Sequence, residues 1–168
     1  MSKTLYFKLS LLFFLQFFLW GSWYVTLGTY LLETLGFSGR EVGLIYGATA
    51  IAAAVSPFLL GLLADRFFNL ERLLSILHLG GGVVMLMVSF FEHFAWFYPG
   101  LILYALLYIP TFSLSNAMAF HHLPRSTRDF PRVRVWGTVG WVLAGLIVSG
   151  LNWEDTAHPM QMAAAASL

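Results

Sequence analysis

The sequence predicts an all-α membrane protein: a bundle of five complete transmembrane helices plus the start of a sixth. Three observations carry that expectation. Of 168 residues, 59% are hydrophobic and 10% charged, whereas a soluble domain carries about 25% charged residues. Five apolar runs are long enough to cross a bilayer, which takes roughly 20 residues. Eight of the nine Lys and Arg residues fall on one side of the resulting zigzag, as expected when positive charge is retained in the cytoplasm.

The runs are about 9–32, 42–64, 73–91, 95–118 and 130–151, with a truncated sixth from about 160, so that 1–168 reads as one transmembrane bundle. The first four contain no Asp, Glu, Lys or Arg. Helix is the expected form because it satisfies every backbone group internally, and the runs do not alternate as barrel strands would. Lys3 and Lys8 ahead of an apolar run resemble a secretory signal. The run from Leu9 to Leu32 exceeds the core of a signal and ends on no small-residue cleavage site, so a retained span is expected.

Lys3, Lys8, Arg66, Arg72, Arg125, Arg128, Arg132 and Arg134 share one side, and Arg40 alone lies on the other. The N-terminus is therefore expected in the cytoplasm. Trp96, Tyr98 and Trp153 lie near span ends, where aromatic rings anchor at the interface.

Several functions are excluded. There is no cysteine, hence no disulfide or thiolate chemistry. His78, His93, His121, His122 and His158 have no metal-ligand spacing and read as structural or solvated. Without GxSxG, HExxH or paired intramembrane carboxylates, neither an enzyme nor a cofactor is expected. The few basic residues form no patch for nucleic acid.

Three spans carry polar residues at helical spacing. In span one, Gln16, Trp20 and Trp23 fall at i, i+4 and i+7. A buried amide needs either a partner on another helix or a wet cavity. In span four, Tyr104, Tyr108, Thr111 and Ser115 form one stripe with Asn116 beside it, and Pro110 removes a backbone bond. That stripe fits a water-filled cavity or a hydrogen-bonded helix interface. In span five, Arg134, Thr138 and Trp141 share a face, with Asp129 expected as N-cap and Pro131 in the first turn. Thr138 would lie about 12 Å and Trp141 about 16 Å along the helix, near the bilayer centre. Arg134 could snorkel to headgroups or bond a polar solute in a cavity. Gly137, Gly140 and Ala144 occupy a different face suited to close packing, as does Gly43-xxx-Gly47 in span two. Span three, nearly all apolar, reads as a peripheral helix.

Gly61-Leu-Leu-Ala-Asp65-Arg66, between spans two and three, resembles the signature loop of the major facilitator superfamily. Phe68 replaces the second glycine of that pattern and Asn69 the next basic residue, with Arg72 as a displaced charge. The segments Leu15–Tyr30, Tyr108–Thr111, Asp129–Pro131 and Arg134–Gly140 resemble, more closely, the bacterial nucleoside:proton symporters of that superfamily.

That resemblance implies two helix bundles around a cavity open alternately to each side, with this chain as the N-terminal one. It implies that Arg134 and Thr138 contact a nucleoside and that Trp141 stacks near it, with Gln16, Trp20 and Asn116 as cavity neighbours. Gly61, Asp65, Arg66 and Arg72 would form a cytoplasmic gate loop. The expected partners are the nucleoside, a proton, the lipid bilayer and a missing C-terminal bundle that holds the proton-coupling acids; the proton gradient replaces any cofactor. The expected location is the bacterial inner membrane. A facilitator for a sugar or purine base is the alternative, and a non-transport membrane subunit a further one.

Overall fold

The computed structural model describes residues 2–64, 69–123 and 126–168, and the side chains of these except at 59–64 and 126–127. Among the described residues every regular element is a helix. Five stretches are long and apolar enough to cross a membrane, in agreement with the all-α membrane fold read from the sequence.

The first span is built in two pieces. Helix α1 covers Lys3–Trp23, and the Ser2 side chain caps it by accepting from the Leu5 N–H at 3.2 Å. After a turn at 24–26, α2 (Leu27–Thr29) runs into a π-helical turn at Tyr30–Thr34. A side chain from another helix sits at the break. The Tyr46 hydroxyl accepts from the Gly28 N–H at 2.9 Å and donates to the Tyr24 carbonyl at 3.0 Å. It thus occupies the place of the i+4 to i bond that an intact helix would make there, the kind of insertion that bends helices. Gly36, with φ +68°, closes the segment in the left-handed conformation that glycine adopts without strain.

Helix α3 (Gly39–Ala64) opens on a capping box: the Glu41 carboxylate accepts from the Ser38 N–H at 2.8 Å and from its hydroxyl at 2.7 Å. Helix α4 (Leu70–Val88) begins earlier than the apolar run implied, because the amphipathic Leu70–Arg72 turn joins it. Helix α5 (Phe94–His122) carries Pro99 and Pro110 inside it and outlasts its apolar run by a turn. Helix α6 (Ser126–Gly150) starts ahead of Asp129, which corrects the expected N-cap: Asp129 lies within the first turn and reaches Arg132 at 4.0 Å. Helix α7 (His158–Ser167) starts with Pro159 in its first turn.

Side by side, the helices run α3, α5, α4, α7, α1, α6. The most extensive contact is α1 on α6. Glycines allow it: a methyl group at Gly140 would come within 2.2 Å of the Phe14 carbonyl oxygen, and one at Gly21 within 2.9 Å of the Trp141 carbonyl oxygen. The expected packing face of Gly137, Gly140 and Ala144 is therefore the α1 interface. The Gly43-xxx-Gly47 face packs on no other described helix of this chain, since a side chain at either glycine would meet nothing within 4 Å. Helix α3 instead turns Ile45, Ala48, Ala52 and Ser56 inward. Nor is α4 merely peripheral. Ile76, Leu79, Val83 and Met87 face outward, but the helix is wedged between α5 and α7 and carries His78 inside.

Candidate functional site

Two groups of side chains meet on α1. The first is an internal polar knot. Gln16 is 1% exposed, and its Nε2 donates to Thr111 Oγ1 at 2.7 Å. Its Oε1 lies 3.1 Å from His78 Nε2 and accepts from Ser115 Oγ at 3.3 Å. The Tyr108 hydroxyl donates to the Gln16 carbonyl. His78 Nδ1 lies 3.2 Å from Ser167 Oγ, which donates to the His78 carbonyl at 2.9 Å. One amide thus ties α1 to α4 and α5, and His78 carries the chain of bonds to α7. Of the two possibilities for Gln16 and for Tyr108, Thr111 and Ser115, the structure takes the interhelical one. All four stripe residues are buried, but the Tyr104 hydroxyl has no hydrogen-bond partner among the described residues.

The second group is an aromatic and cationic wall. Phe13, Phe17 and Trp20 follow i, i+4 and i+7 along α1, and Tyr24 continues the series at i+11 just past its end. Trp20 is half-buried, stacked on Tyr24 at 4.3 Å and on Tyr108 at 5.8 Å between ring centroids, with Phe112 edge-on at 5.6 Å. Gln16 and Trp23, expected to share the Trp20 face, lie to its inner side and are buried. Next to the wall stands α6. The half-buried Arg134 sets its guanidinium carbon 3.9 Å from the Phe17 centroid and 5.6 Å from that of Phe13. Among the described residues no carboxylate lies within ion-pairing distance of it. Among the described residues its five N–H donors have no carboxylate to bond, and they can serve an acceptor from outside the bundle.

Helix α6 is uninterrupted from Arg134 to Trp141, so Thr138 (exposed) and Trp141 (half-buried) follow Arg134 on one face. Asn116 is half-buried on α5, one residue beyond the knot. The structure thus brings Arg134 and Trp20 to a common wall of α1 and α6, while Gln16 backs that wall from within. Sequence reasoning missed Phe13, Phe17 and Phe112 as parts of the wall; the 13–17–20–24 spacing was the available signal. It also missed His78, whose partners are far away in sequence. Of the gate-loop residues, Gly61 falls in the last turn of α3 and Arg72 is exposed in the first turn of α4, while Asp65 and Arg66 lie outside the described residues.

Five stretches long and apolar enough to cross a membrane, with a cation and stacked rings on one wall of the bundle, define the class of multi-pass membrane proteins. The particular family follows from comparison. Residues 2–168 match the model of the nucleoside H+ symporter family, and the chain belongs to that family. It is 45% identical over 139 residues to YegT of Escherichia coli (strain K12), covering 83% of this chain and 32% of that protein. It is 37% identical over 166 residues to the xanthosine permease of the same organism, covering 96% of this chain and 40% of the permease. The crystal structure of the nucleoside transporter NupG superimposes with a TM-score of 0.94 at 34% identity, covering 97% of this chain and 41% of that one. The chain therefore spans between 32% and 41% of the length of these three relatives.

Proposed function

We propose that this chain is the N-terminal bundle of a transporter that moves nucleosides across the bacterial inner membrane together with protons, by alternating access. The observation that carries this is Arg134: a cation partly withdrawn from solvent, with rings beneath it, an exposed hydroxyl one turn along and no carboxylate to neutralise it among the described residues. Such a group bonds the oxygens of a neutral polar solute, and a planar base suits the rings beside it. The family and the matched transporters support the same reading.

In this reading Arg134 and Thr138 donate to nucleoside oxygens, Trp141 offers a stacking face, and Trp20 and Asn116 border the cavity. Gln16 supports the wall rather than touching solute. Gly61, Asp65, Arg66 and Arg72 act in a cytoplasmic gate loop whose partners, like the proton-coupling acids, belong to a C-terminal bundle. No cofactor takes part, the proton gradient supplying the drive, and the N-terminus lies in the cytoplasm.

The test is uptake of labelled uridine and adenosine into vesicles that contain the full-length transporter carrying this chain. Proton-driven uptake is expected, and Arg134→Ala should weaken nucleoside affinity by roughly 10- to 100-fold, the loss of one or two hydrogen bonds to a charged donor. Uptake of a sugar with no nucleoside would overturn the substrate assignment.

A further inference from the structure

We infer that Phe17 and Gly137 form a seat that holds the Arg134 guanidinium at the cavity wall, which makes both of them positioning residues for solute binding. This rests on the reading of Arg134 as a solute-binding residue. The geometry is specific. The Phe17 ring lies 3.9 Å from the guanidinium carbon, within the range of cation–π attraction. A methyl group at Gly137 would come within 2.8 Å of Arg134 Nη1 and 2.8 Å of Phe17 Cδ2. The bare backbone of Gly137 is therefore the space into which cation and ring fit together. The ring is itself held edge-on by Phe112, 5.2 Å away at 66°.

Arg134 needs such a seat. An arginine in the cytoplasmic half of a span has a long, flexible stem and would otherwise extend towards headgroups and water. Contact with a ring restrains the charge without occupying a hydrogen-bond acceptor, so the N–H donors stay free for a solute. Gly137 thus serves two neighbours, since α1 also packs across it.

The experiment compares Phe17→Leu, Phe17→Trp, Gly137→Ala and Arg134→Ala in the reconstituted full-length transporter, with KM and Vmax measured for uridine. Phe17→Leu keeps apolar bulk and removes the π face. It is expected to raise KM on the order of tenfold, with Vmax held within about twofold. Phe17→Trp is expected to restore KM, and Gly137→Ala to raise it as Phe17→Leu does. Adding Phe17→Leu to Arg134→Ala should cost nothing further, because the seat has lost its occupant. An unchanged KM in Phe17→Leu, or a Phe17→Trp protein as impaired as Phe17→Leu, would sink the seat, since the ring would then only fill space. If Arg134→Ala itself leaves KM unchanged, the binding reading fails instead, and the two failures are told apart. Should Gly137→Ala not assemble, the Phe17 pair decides alone.

Discussion

Among the described residues, Gln16 makes more side-chain hydrogen bonds to other helices than any other polar side chain, and the reason is one of solvent. In hydrocarbon no water waits to satisfy a stranded amide, so Thr111, Ser115 and His78 are all bound to its fate. Gln16→Leu should lower the thermal unfolding midpoint of the purified transporter. A double-mutant cycle with Thr111→Val should give a coupling of about 0.6–1.7 kcal/mol, the range for such bonds inside membranes. Nucleoside KM should move far less than in Arg134→Ala, which separates the supporting knot from the wall it supports. These roles were only partly legible in the sequence. Arg134, Thr138 and Trp141 could be placed on one face because an unbroken helix fixes their spacing. Whether Gln16 turned to a cavity or to a neighbour depended on Thr111, 95 residues away, and on His78, 62 away; helical periodicity holds no information about either.

Among the helices, the first span departs furthest from regularity. Its run contains no proline, and the local signals for a break are only the Gly21-Ser22 pair and Gly28. The break comes from α3, whose Tyr46 hydroxyl takes the place of one backbone bond and makes two of its own. Tyr46→Phe removes that bridge. The Gly28 amide is then expected to exchange its hydrogen faster, and stability to fall by about 1 kcal/mol, the net worth of a typical bond. Slower exchange would mean instead that Tyr24 and Gly28 bond directly and the helix straightens. The α1–α6 contact makes a sharper demand. Gly140→Ala forces a methyl group against the Phe14 carbonyl oxygen, so assembly should weaken by about 1–3 kcal/mol or more, as in overpacked cores. Reduced yield of folded protein on size-exclusion chromatography would show it. The all-helical bundle, by contrast, was readable from the runs alone, because bilayer thickness sets helix length before any packing is known.

At the scale of the whole molecule, orientation rests on eight cationic residues against one. The chain has no cysteine of its own, so single substitutions in this region report cleanly. Lys3→Cys should react with a membrane-impermeant maleimide only from the cytoplasmic side, and Glu92→Cys only from outside. The order of the helices in space also has a consequence for synthesis. Helix α1 packs mostly on α6 and α7, which follow it late in the chain: Gln16 meets Thr111 after 95 further residues, and the Tyr6 hydroxyl meets the Trp136 indole after 130. At ~5–20 residues per second of translation, Tyr46 reaches the interrupted backbone early, but the first span spends on the order of ten seconds in the membrane before α6 and α7 exist. During that interval the face that packs on them meets lipid or whatever shelters it. Biogenesis of this bundle therefore calls for an insertion machinery that retains an early helix until later ones emerge, rather than one that releases each helix as it is made.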